Sequence, residues 1–249
     1  MKLTGNTILI TGGASGIGRG LAEAFHDKGN QVIISGRRQS ALDEVTSQHR
    51  GMASVVLDIT DKASIKAFAA EALAKFPSVN VLINNAGIMR MEDIKGSPSE
   101  IDVAEAEIAT NLLGTIRVSA AILPHLLRQQ QSTLITVSSG LAFVPMTSVP
   151  TYCATKAAVH SYSMSLREQL RKTSVSVVEL VPPYVQTELL VPEQASDPNA
   201  MPLADFIAET MTLFEKGDAE VVVDACKPLR FAAENGNLPE VMEMLNAQH

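Results

Sequence analysis

Short runs rich in Val and Ile recur along the chain, with amphipathic stretches between most of them. Runs of this kind, bounded by turn residues, are typical of buried β-strands. The predicted strands cover residues 7–11, 31–35, 54–58, 79–84, 133–138 and 175–181. Strands that alternate with helices form parallel sheets that are covered on both faces. The pattern therefore predicts an α/β fold with a single doubly wound parallel sheet and helices on both faces.

The amphipathic stretches predict the helices. Ile17, Leu21 and Phe25 lie at four-residue steps, and Gly29 follows them as a residue suited to a left-handed helix cap. The other predicted helices cover residues 62–76, 101–129, 152–171 and 202–216. A short last strand is predicted over residues 220–223.

Residues 181–201 break this pattern, because they contain four prolines and no sustained period. Long loops of this kind often carry function. One hypothesis is a mobile lid over a substrate site, which we assign to residues 183–216. The alternative is an exposed loop with no such role.

Composition narrows the choice of function. No Pro, Gly or Ser-rich tract divides the 249 residues, so we expect one domain over residues 1–249. The formal net charge of −7 disfavours nonspecific binding to nucleic acid or to an anionic membrane. A small-molecule substrate fits better, and neither nucleic acid nor a membrane is expected as a partner.

The metal-binding residue types and the N-terminus lead to two further expectations. Cys153 and Cys226 show no spacing typical of a metal site or a disulfide framework, and the five histidines show no metal-ligand spacing. No bound metal is therefore predicted. The N-terminus leads into the first strand without a signal-peptide hydrophobic region, so we expect a cytoplasmic location.

A glycine-rich turn joins the first strand to the first helix. Gly12, Gly16 and Gly18 allow a tight turn, close approach of the backbone to a pyrophosphate, and close packing of the helix on the sheet. The helix start, which includes Ser15 and Ile17, offers N–H donors and a positive dipole to phosphate. The turn therefore predicts a dinucleotide site on a Rossmann fold.

The end of the second strand indicates which dinucleotide binds. Residues 34–38 contain no carboxylate for the ribose 2′-hydroxyl of NAD. Arg37, with Arg38 or Arg19 as further candidates, can instead form charge-assisted hydrogen bonds to a 2′-phosphate. Ordinary solvated arginines are the alternative. NADP(H) is therefore predicted ahead of NAD(H). Asp58, after the third strand, is assigned either to adenine or to capping the next helix.

Two residues of the helix predicted over residues 152–171 suggest acid–base chemistry. Tyr152 and Lys156 lie four residues apart and so share a helix face. A nearby ammonium favours the phenolate of a tyrosine, whose ordinary pKa is about 10, and such a phenol can act as a general acid or base. Ser139 lies thirteen residues earlier, at a strand end. A short motif is weak evidence alone, and an exposed tyrosine above a solvated lysine is the alternative.

Together these motifs resemble those of the short-chain dehydrogenase/reductase family. The matching motifs, in the family's order and spacing, are Thr11-Gly-Gly-Ala-Ser-Gly-Ile-Gly18, Asn84-Asn-Ala-Gly87, Asn111, Ser139, Tyr152-x-x-x-Lys156 and Pro182-Pro-Tyr-Val-Gln-Thr187. The resemblance implies an oxidoreductase that transfers hydride between a nicotinamide cofactor and a carbonyl or alcohol substrate. It also implies a homodimer or homotetramer.

The resemblance further implies roles for the matched residues. Tyr152 would be the general acid/base, Lys156 would bind the nicotinamide ribose and lower the tyrosine pKa, and Ser139 would orient the substrate oxygen. Asn111 would anchor a proton relay, and its alternative is to satisfy a buried backbone group. The implied cofactor-binding residues are Gly12, Ser15, Gly16, Ile17, Gly18, Arg37, Asp58, Asn85, Ala86, Gly87, Tyr152, Lys156, Val185 and Thr187.

Two features depart from the family's pattern. Pro183 stands where the family usually has glycine, and it stiffens the loop beside the nicotinamide. The usual C-terminal strand and ending are missing, which leaves residues 220–223 as a weak substitute and a polar tail after residue 230.

The residues near these motifs favour a small or medium apolar substrate, because apolar side chains with adaptable methionines are typical of small-molecule pockets. The predicted pocket residues are Met89, Met91, Phe143, Val144, Met146, Tyr184 and Leu189. The alternative function is an NADP(H)-binding sensor or scaffold without significant turnover, because a fold does not guarantee activity.

Overall fold

The computed structural model of the chain describes residues 2–95 and 100–247. Its strands are β1 (Thr7–Thr11), β2 (Gln31–Gly36), β3 (Ala53–Val56), β4 (Val81–Asn84), β5 (Ser132–Val137), β6 (Val175–Val181) and β7 (Glu220–Val222). They form one seven-stranded sheet in the order β3-β2-β1-β4-β5-β6-β7, and every neighbouring pair is parallel. The predicted parallel sheet is confirmed, and no strand end differs from its prediction by more than two residues.

Helices connect the strands. They are α1 (Gly16–Asp27), α2 (Gln39–Gln48), α3 (Lys62–Lys75), α4 (Glu100–Glu107), α5 (Thr115–Leu126), α6 (Pro150–Leu170), α7 (Leu203–Lys216), α8 (Lys227–Arg230) and α9 (Leu238–Asn246). A π-helix, Ile108–Gly114, joins α4 to α5. Three short 3-10 helices cover Gly140–Ala142, Pro192–Ser196 and Asp224–Cys226.

Hydrophobic alternation along the strands explains the two layers of helices. Ile8 and Ile10 of β1 belong to a buried cluster that includes Phe25 of α1 and Phe206 of α7. Leu9, between them, belongs to a second cluster with residues of α3, α5 and α6. Successive side chains of a strand point to opposite faces, so both faces of the sheet are buried. The predicted doubly wound architecture is confirmed.

The sequence prediction missed three helices, α2, α8 and α9. In α2 only Leu42 and Val45 are buried, which is too few apolar positions to mark a helical period. The chain after residue 230 was predicted to be a polar tail, and this prediction is wrong, because α9 lies within it. The short last strand predicted over residues 220–223 is confirmed, since β7 pairs with β6 through Leu180 and Val221.

The region predicted as a single helix over residues 101–129 is not one continuous α-helix in the structure. It consists of α4, the π-helix and α5, and it ends at Leu126. Within the described residues, Ile101–Leu126 is the one segment long and apolar enough to cross a membrane by length and composition. Core helices of soluble proteins meet the same criterion of length and composition. In this segment, 39% of the most apolar 18-residue stretch is buried in the fold. The segment packs against α3 and α6.

Candidate active site

The carboxyl ends of the parallel strands bring the predicted site residues to one edge of the sheet. The glycine turn follows β1, Asn85 follows β4, Ser139 comes after β5, and residues 182–187 follow β6. Because β1 lies between β2 and β4, the strand order reverses direction at β1 and β4. Folds of this type bind ligands in the crevice at such a point.

The glycine turn is packed too closely for side chains. A Cβ on Gly18 would lie 2.2 Å from the carbonyl oxygen of Gly12, and a Cβ on Gly12 would lie 2.9 Å from the Cα of Ala86. The φ angles of Gly12 and Gly16 are 67° and 52°, in the left-handed region that favours glycine. The N-cap residue of α1, Ser15, makes no side-chain capping hydrogen bond. The turn thus presents the N-terminus of α1, a feature that suits a phosphate group.

Asn85 ties this turn to the end of β4. Its amide donates to the carbonyl oxygens of Thr11 at 3.0 Å and Gly12 at 3.1 Å. The buried hydroxyl of Thr11 accepts the N–H groups of Asn85 and Ala86, each at 3.1 Å. The Asn85 side chain, expected to lie along the cofactor, therefore holds the turn in shape. Thr11 shares this task, although the sequence analysis had given it no role of its own.

Arg37 and Asp58 lie near each other at the ends of β2 and β3. Arg37 is exposed, and Asp58 is half-buried. Hydrogen bonds from the hydroxyl and N–H of Thr60, at 2.7 and 2.9 Å, lower the pKa of Asp58, and the charge of Arg37 adds to this effect. Asp61, rather than Asp58, caps α3. The capping alternative for Asp58 is therefore wrong, although its carboxylate does stabilise the turn before α3.

The other two candidate arginines are placed differently. Arg19 is held by carboxylates, with its Nε 2.7 Å from Glu23 and its Nη1 3.6 Å from Glu44. Arg38 is exposed and occupies the N-cap position of α2. Arg37 and Arg38 are thus both exposed at this edge of the sheet, whereas Arg19 is paired with carboxylates.

Tyr152 lies in the first turn of α6, and only 5% of its surface is exposed. The side chain of Ser139 forms a hydrogen bond with it. The Ser139 hydroxyl also accepts the N–H of Leu141 at 3.1 Å, which holds the serine at the start of a 3-10 helix. Ser138 instead donates to the carbonyl oxygen of Leu180 at 3.4 Å. Of the two serines, Ser139 is therefore the one beside Tyr152.

Lys156 is buried one turn further along α6. Its Nζ lies 5.5 Å from the centre of the Tyr152 ring and donates to the carbonyl oxygen of Val137 at 2.8 Å. Burial lowers the pKa of Lys156 to about 8, partly offset by the charge of Glu179. Burial also raises the pKa of Tyr152, and the hydrogen bond with Ser139 opposes that rise. This direction is opposite to the expected lowering, because removing a phenol from water disfavours the phenolate.

Asn111 lies within the π-helix, a distortion that is frequent at functional sites. Its Oδ1 accepts the N–H of Ile88 at 2.8 Å, and its Nδ2 donates to the Ile88 carbonyl at 2.9 Å and to the Thr155 hydroxyl at 3.2 Å. The side chain therefore satisfies buried backbone groups, as the alternative prediction proposed. A Cβ on Gly87 would lie 3.3 Å from the Asn111 Oδ1 and 3.8 Å from the Lys156 Nζ, so both side chains converge on this glycine.

Glu107 is a buried carboxylate that sequence reasoning missed. It lies one turn before Asn111, and its Oε1 accepts the N–H of Arg90 at 2.7 Å. Its Oε2 is buried and makes no hydrogen bond within the described part of the chain. Burial raises the pKa of Glu107 to about 7, and the charge of Glu92 adds to that rise. Its four-residue step from Asn111 was the signal available in the sequence.

The segment after β6 folds back over the glycine turn. The methyl group of Thr187 would lie 3.4 Å from a Cβ on Gly16. Gln194, another missed residue, donates to the carbonyl of Val185 at 2.8 Å and to the hydroxyl of Thr187 at 3.1 Å. Its Oε1 accepts the N–H of Leu190 at 3.1 Å. In the second half of the proposed lid range, α7 packs against α1 in the core.

A small apolar cluster surrounds Tyr152, and we call it the Tyr152 cluster. Its buried members are Met89, Met146, Val149, Tyr152 and Cys153, and Leu141, Leu190 and Leu245 pack against them. Met89 and Met146 were predicted pocket residues. Other predicted pocket residues lie outside the cluster, since Met91, Tyr184 and Leu189 are exposed and Phe143 packs against the main core. Val144 is fully buried but is not a member of the cluster either.

The fold brings together two groups of side chains of metal-binding type. One comprises His26, Asp27 and His49, and the other comprises His160, Glu179 and Glu220. In the second group Arg230 forms an ion pair with Glu220 and lies over the Phe143 ring, 4.4 Å from its centre. A guanidinium therefore already balances negative charge in this group. The absence of a bound metal remains a prediction.

These features agree with comparisons to known proteins. The family model described as short chain dehydrogenase matches residues 6–197. The chain belongs to the short-chain dehydrogenase family. It is therefore an oxidoreductase, and its sheet and flanking helices are those of this family's Rossmann-like fold.

Similar short-chain dehydrogenases include both curated proteins and solved structures. The uncharacterized oxidoreductase DltE of Bacillus subtilis is 38% identical over 253 aligned residues, which cover 100% of this chain and 99% of DltE. A short chain dehydrogenase from Burkholderia cenocepacia in complex with NADP has a TM-score of 0.83 and 26% identity, with 97% and 99% of the two chains covered. A 3-ketoacyl-(acyl-carrier-protein) reductase from Brucella melitensis, complexed with NADH, has a TM-score of 0.76 and 26% identity over 90% and 94%. A nicotinamide cofactor is thus supported for this short-chain dehydrogenase.

Proposed function

We propose that this short-chain dehydrogenase is an NADP(H)-dependent oxidoreductase acting on a small or medium, apolar carbonyl or alcohol. The observation that carries the proposal is the buried Tyr152 phenol, hydrogen-bonded to Ser139 and close to Lys156. These groups lie at the carboxyl edge of the sheet, where the glycine turn also ends. Acid–base groups beside a turn that suits a dinucleotide are the arrangement needed for a redox reaction at a carbonyl carbon.

The chain's residues fit a nicotinamide dinucleotide. Gly12, Gly16 and Gly18 leave no side chains between the backbone and a pyrophosphate, and the N-terminus of α1 suits its charge. Ala86 and Gly87 would lie beside the adenosine half, and Val185 and Thr187 beside the carboxamide. The remaining residues in this role would be Ser15, Ile17, Arg37, Asp58, Asn85, Tyr152 and Lys156. When bound, the nicotinamide supplies or accepts the hydride.

Tyr152 would give a proton to the substrate oxygen during reduction and take it back during oxidation. Ser139 would hold the same oxygen through its hydroxyl, which stabilises the charge that develops there. A raised phenol pKa keeps the proton on Tyr152 near neutral pH.

Lys156 and Asn111 would support the tyrosine. With a pKa of about 8, Lys156 can exchange a proton near neutral pH, and its Nζ would bind ribose hydroxyls. Gly87 leaves space between the Lys156 Nζ and the Asn111 Oδ1, so a water molecule between these groups could carry protons. Asn111 would mainly hold the backbone of Ile88 in place beside this path.

The preference for NADP(H) rests on Arg37. It is exposed at the end of β2, where the ribose of a dinucleotide lies in folds of this type. The sequence around it has no carboxylate that would repel a 2′-phosphate. NAD(H) is the second candidate, and a cytoplasmic location remains a prediction.

Replacing the proposed acid tests the function. Tyr152→Phe removes the hydroxyl and leaves the ring, so we expect kcat to fall by about 10²- to 10⁴-fold with NADPH affinity and Tm retained. The matched control is Tyr162→Phe, on the same helix but packed against the second core cluster, and it should keep activity near that of the wild type. Full turnover by Tyr152→Phe would contradict the proposal. Cofactor binding without turnover by either protein would favour the sensor or scaffold alternative.

A homodimer or homotetramer is part of the proposal. Exposed apolar side chains cluster on the long helices, with Ile101, Ile108 and Leu113 on the segment from α4 to α5 and Met164 on α6. Apolar surface of this kind is typical of subunit contacts. We expect sedimentation velocity to give a dimer or tetramer for the wild type and smaller species for Ile108→Lys. A wild-type monomer at micromolar concentration would contradict this part.

A further inference from the structure

The C-terminal helix α9 packs beside the proposed acid. Its Leu245 contacts the Tyr152 cluster, which also contains Cys153 on the neighbouring position of α6. This contact joins residues far apart in the chain, and the sequence pattern did not indicate it. The last turn of α9 therefore forms part of the apolar surroundings of the Tyr152 cluster.

Asn246 attaches the end of α9 to the loop before α6. Its Oδ1 accepts the N–H of Thr147 at 2.7 Å, and its Nδ2 donates to the carbonyl oxygen of Pro145 at 3.1 Å. The amide thus pairs with a backbone donor and a backbone acceptor of the loop that carries Met146. Both hydrogen bonds are exposed to solvent.

The Tyr152 cluster is closed in this structure. Tyr152 is 5% exposed and Cys153 is 4% exposed, so little of either side chain reaches solvent. Three partly buried side chains pack over the cluster, namely Leu141, Leu190 and Leu245. A substrate group that contacts the cluster therefore displaces at least one of the segments that carry them.

The segments that carry Leu190 and Leu245 differ in burial. The segment with Leu190 includes the buried Gln194, whose three hydrogen bonds all lie within that segment. By contrast, α9 has no buried residue. Segments with few buried contacts and exposed hydrogen bonds open at the lowest free-energy cost. Opening is therefore easier at α9.

We propose that α9 is the movable outer wall of the substrate site, that Asn246 holds it closed, and that Leu245 limits the length of the apolar group that fits beside Tyr152. The part concerning substrate length rests on the proposed function. The movable wall does not depend on the proposed function, because its opening exposes Cys153 as well as Tyr152 and can be followed at Cys153.

Thiol labelling tests the movable wall without any enzymatic turnover. Cys153 lies in the covered cluster, and the second cysteine, Cys226, is fully buried elsewhere. We expect Asn246→Ala to raise the rate of labelling by a maleimide at least about fivefold, because both hydrogen bonds that attach α9 to the loop before α6 are lost. The matched control is Met244→Ala, since Met244 is 69% exposed on the same helix, and its labelling rate should equal that of the wild type.

The labelled residue is identified by peptide mass spectrometry, and a Cys153→Ser variant should lose the reaction. An unchanged rate in Asn246→Ala would overturn the role of α9 as a movable wall. Equal acceleration at Cys226 would mean global unfolding and would overturn it as well.

Protection from the maleimide tests the role of Leu245. Primary alcohols from butanol to decanol are added, and the concentration that halves the Cys153 labelling rate is measured. In Leu245→Ala the removed side-chain carbons leave room for about two further methylene groups, so decanol should protect about tenfold better than in the wild type. Met244→Ala should leave the series unchanged.

If each alcohol protects Cys153 at the same concentration in Leu245→Ala as in the wild type, the length limit is overturned. Failure of the proposed function is distinguishable, because it would appear as full turnover by Tyr152→Phe or as no turnover by the wild type, while labelling and protection report on α9 alone.

Discussion

The cofactor end and the substrate end of this site are built in different ways. At the cofactor end, the turn from β1 to α1 is shaped by backbone, with Gly12 and Gly18 so close to their neighbours that a Cβ cannot fit. At the substrate end, the Tyr152 cluster is made of side chains from four separate parts of the chain, including α9. The first end depends on a local glycine pattern that Asn85 and Ala86 hold in shape, and the second depends on apolar side chains from distant parts of the chain.

This difference explains why one end is so much easier to recognise. Few sequences other than a glycine-rich one allow such a turn between a strand and a helix, so the glycine pattern predicts the geometry of the turn. An apolar wall can be built from many side chains of suitable volume. Family members can therefore share the cofactor end while differing in which substrate reaches Tyr152.

The largest effect is expected at Gly18. In Gly18→Ala the new Cβ would lie 2.2 Å from the Gly12 carbonyl oxygen and 2.3 Å from the Asn85 Nδ2, so the turn must shift. We expect NADPH affinity, measured by fluorescence titration, to fall at least about 100-fold, and Tm to fall by several degrees. Gly36→Ala is the matched control, because its Cβ would meet only Leu42 at 3.8 Å. Wild-type affinity in Gly18→Ala would mean that the turn is not part of the cofactor site.

A smaller effect is expected at Arg37, the single side chain that we propose to bind the 2′-phosphate of the cofactor. Arg37→Ala should weaken NADPH binding about tenfold, the loss typical of one charge-assisted hydrogen bond, and leave NADH binding unchanged. Paired titrations with the two cofactors measure the difference. Arg38→Ala is the comparison, and a larger loss there would move the 2′-phosphate contact to Arg38. Equal loss for both cofactors in Arg37→Ala would contradict the selectivity proposal.

The last comparison concerns Glu107, at the substrate end, where the expected effect is on stability and not on cofactor binding. Burial raises its pKa from 4.5 to about 7. Between these values the folded state holds a proton that the unfolded state has lost, so the free energy of unfolding falls as pH rises, by up to about 1.4 kcal/mol per pH unit. Chemical denaturation from about pH 5 to about pH 7 should therefore show a negative slope in the wild type.

Glu107→Gln removes the titrating group, and it should flatten this slope while keeping the acceptor for the N–H of Arg90. Glu105→Gln is the matched control, because Glu105 is exposed on the same helix, and the slope should persist. Lys156 contributes only above its pKa of about 8, where its lowered value makes stability rise with pH. A slope unchanged in Glu107→Gln would mean that Glu107 is ionised throughout this range.

Sequence reasoning succeeded where local periodicity and steric rules apply. The seven strands, the order of the main helices and the glycine turn follow from alternation, period and backbone freedom. It failed for α2 and α9, where few residues are buried, and for the π-helix around Asn111, which leaves no mark in the hydrophobic pattern. The buried Glu107 and Gln194 were missed because burial of a polar side chain depends on what packs over it.

The sequence by itself determined the fold, the family and the set of candidate chemical groups, because these depend on periodicity, glycine positions and short spacings within single elements. Only the tertiary structure decided that Glu107 is buried, that Asn85 holds the turn, and that Leu245 packs against the Tyr152 cluster. These outcomes depend on contacts between distant segments, whose distances and burial are set by packing of the whole molecule. The pKa directions of Tyr152 and Lys156 follow from the same cause, because burial outweighs the influence of their neighbours.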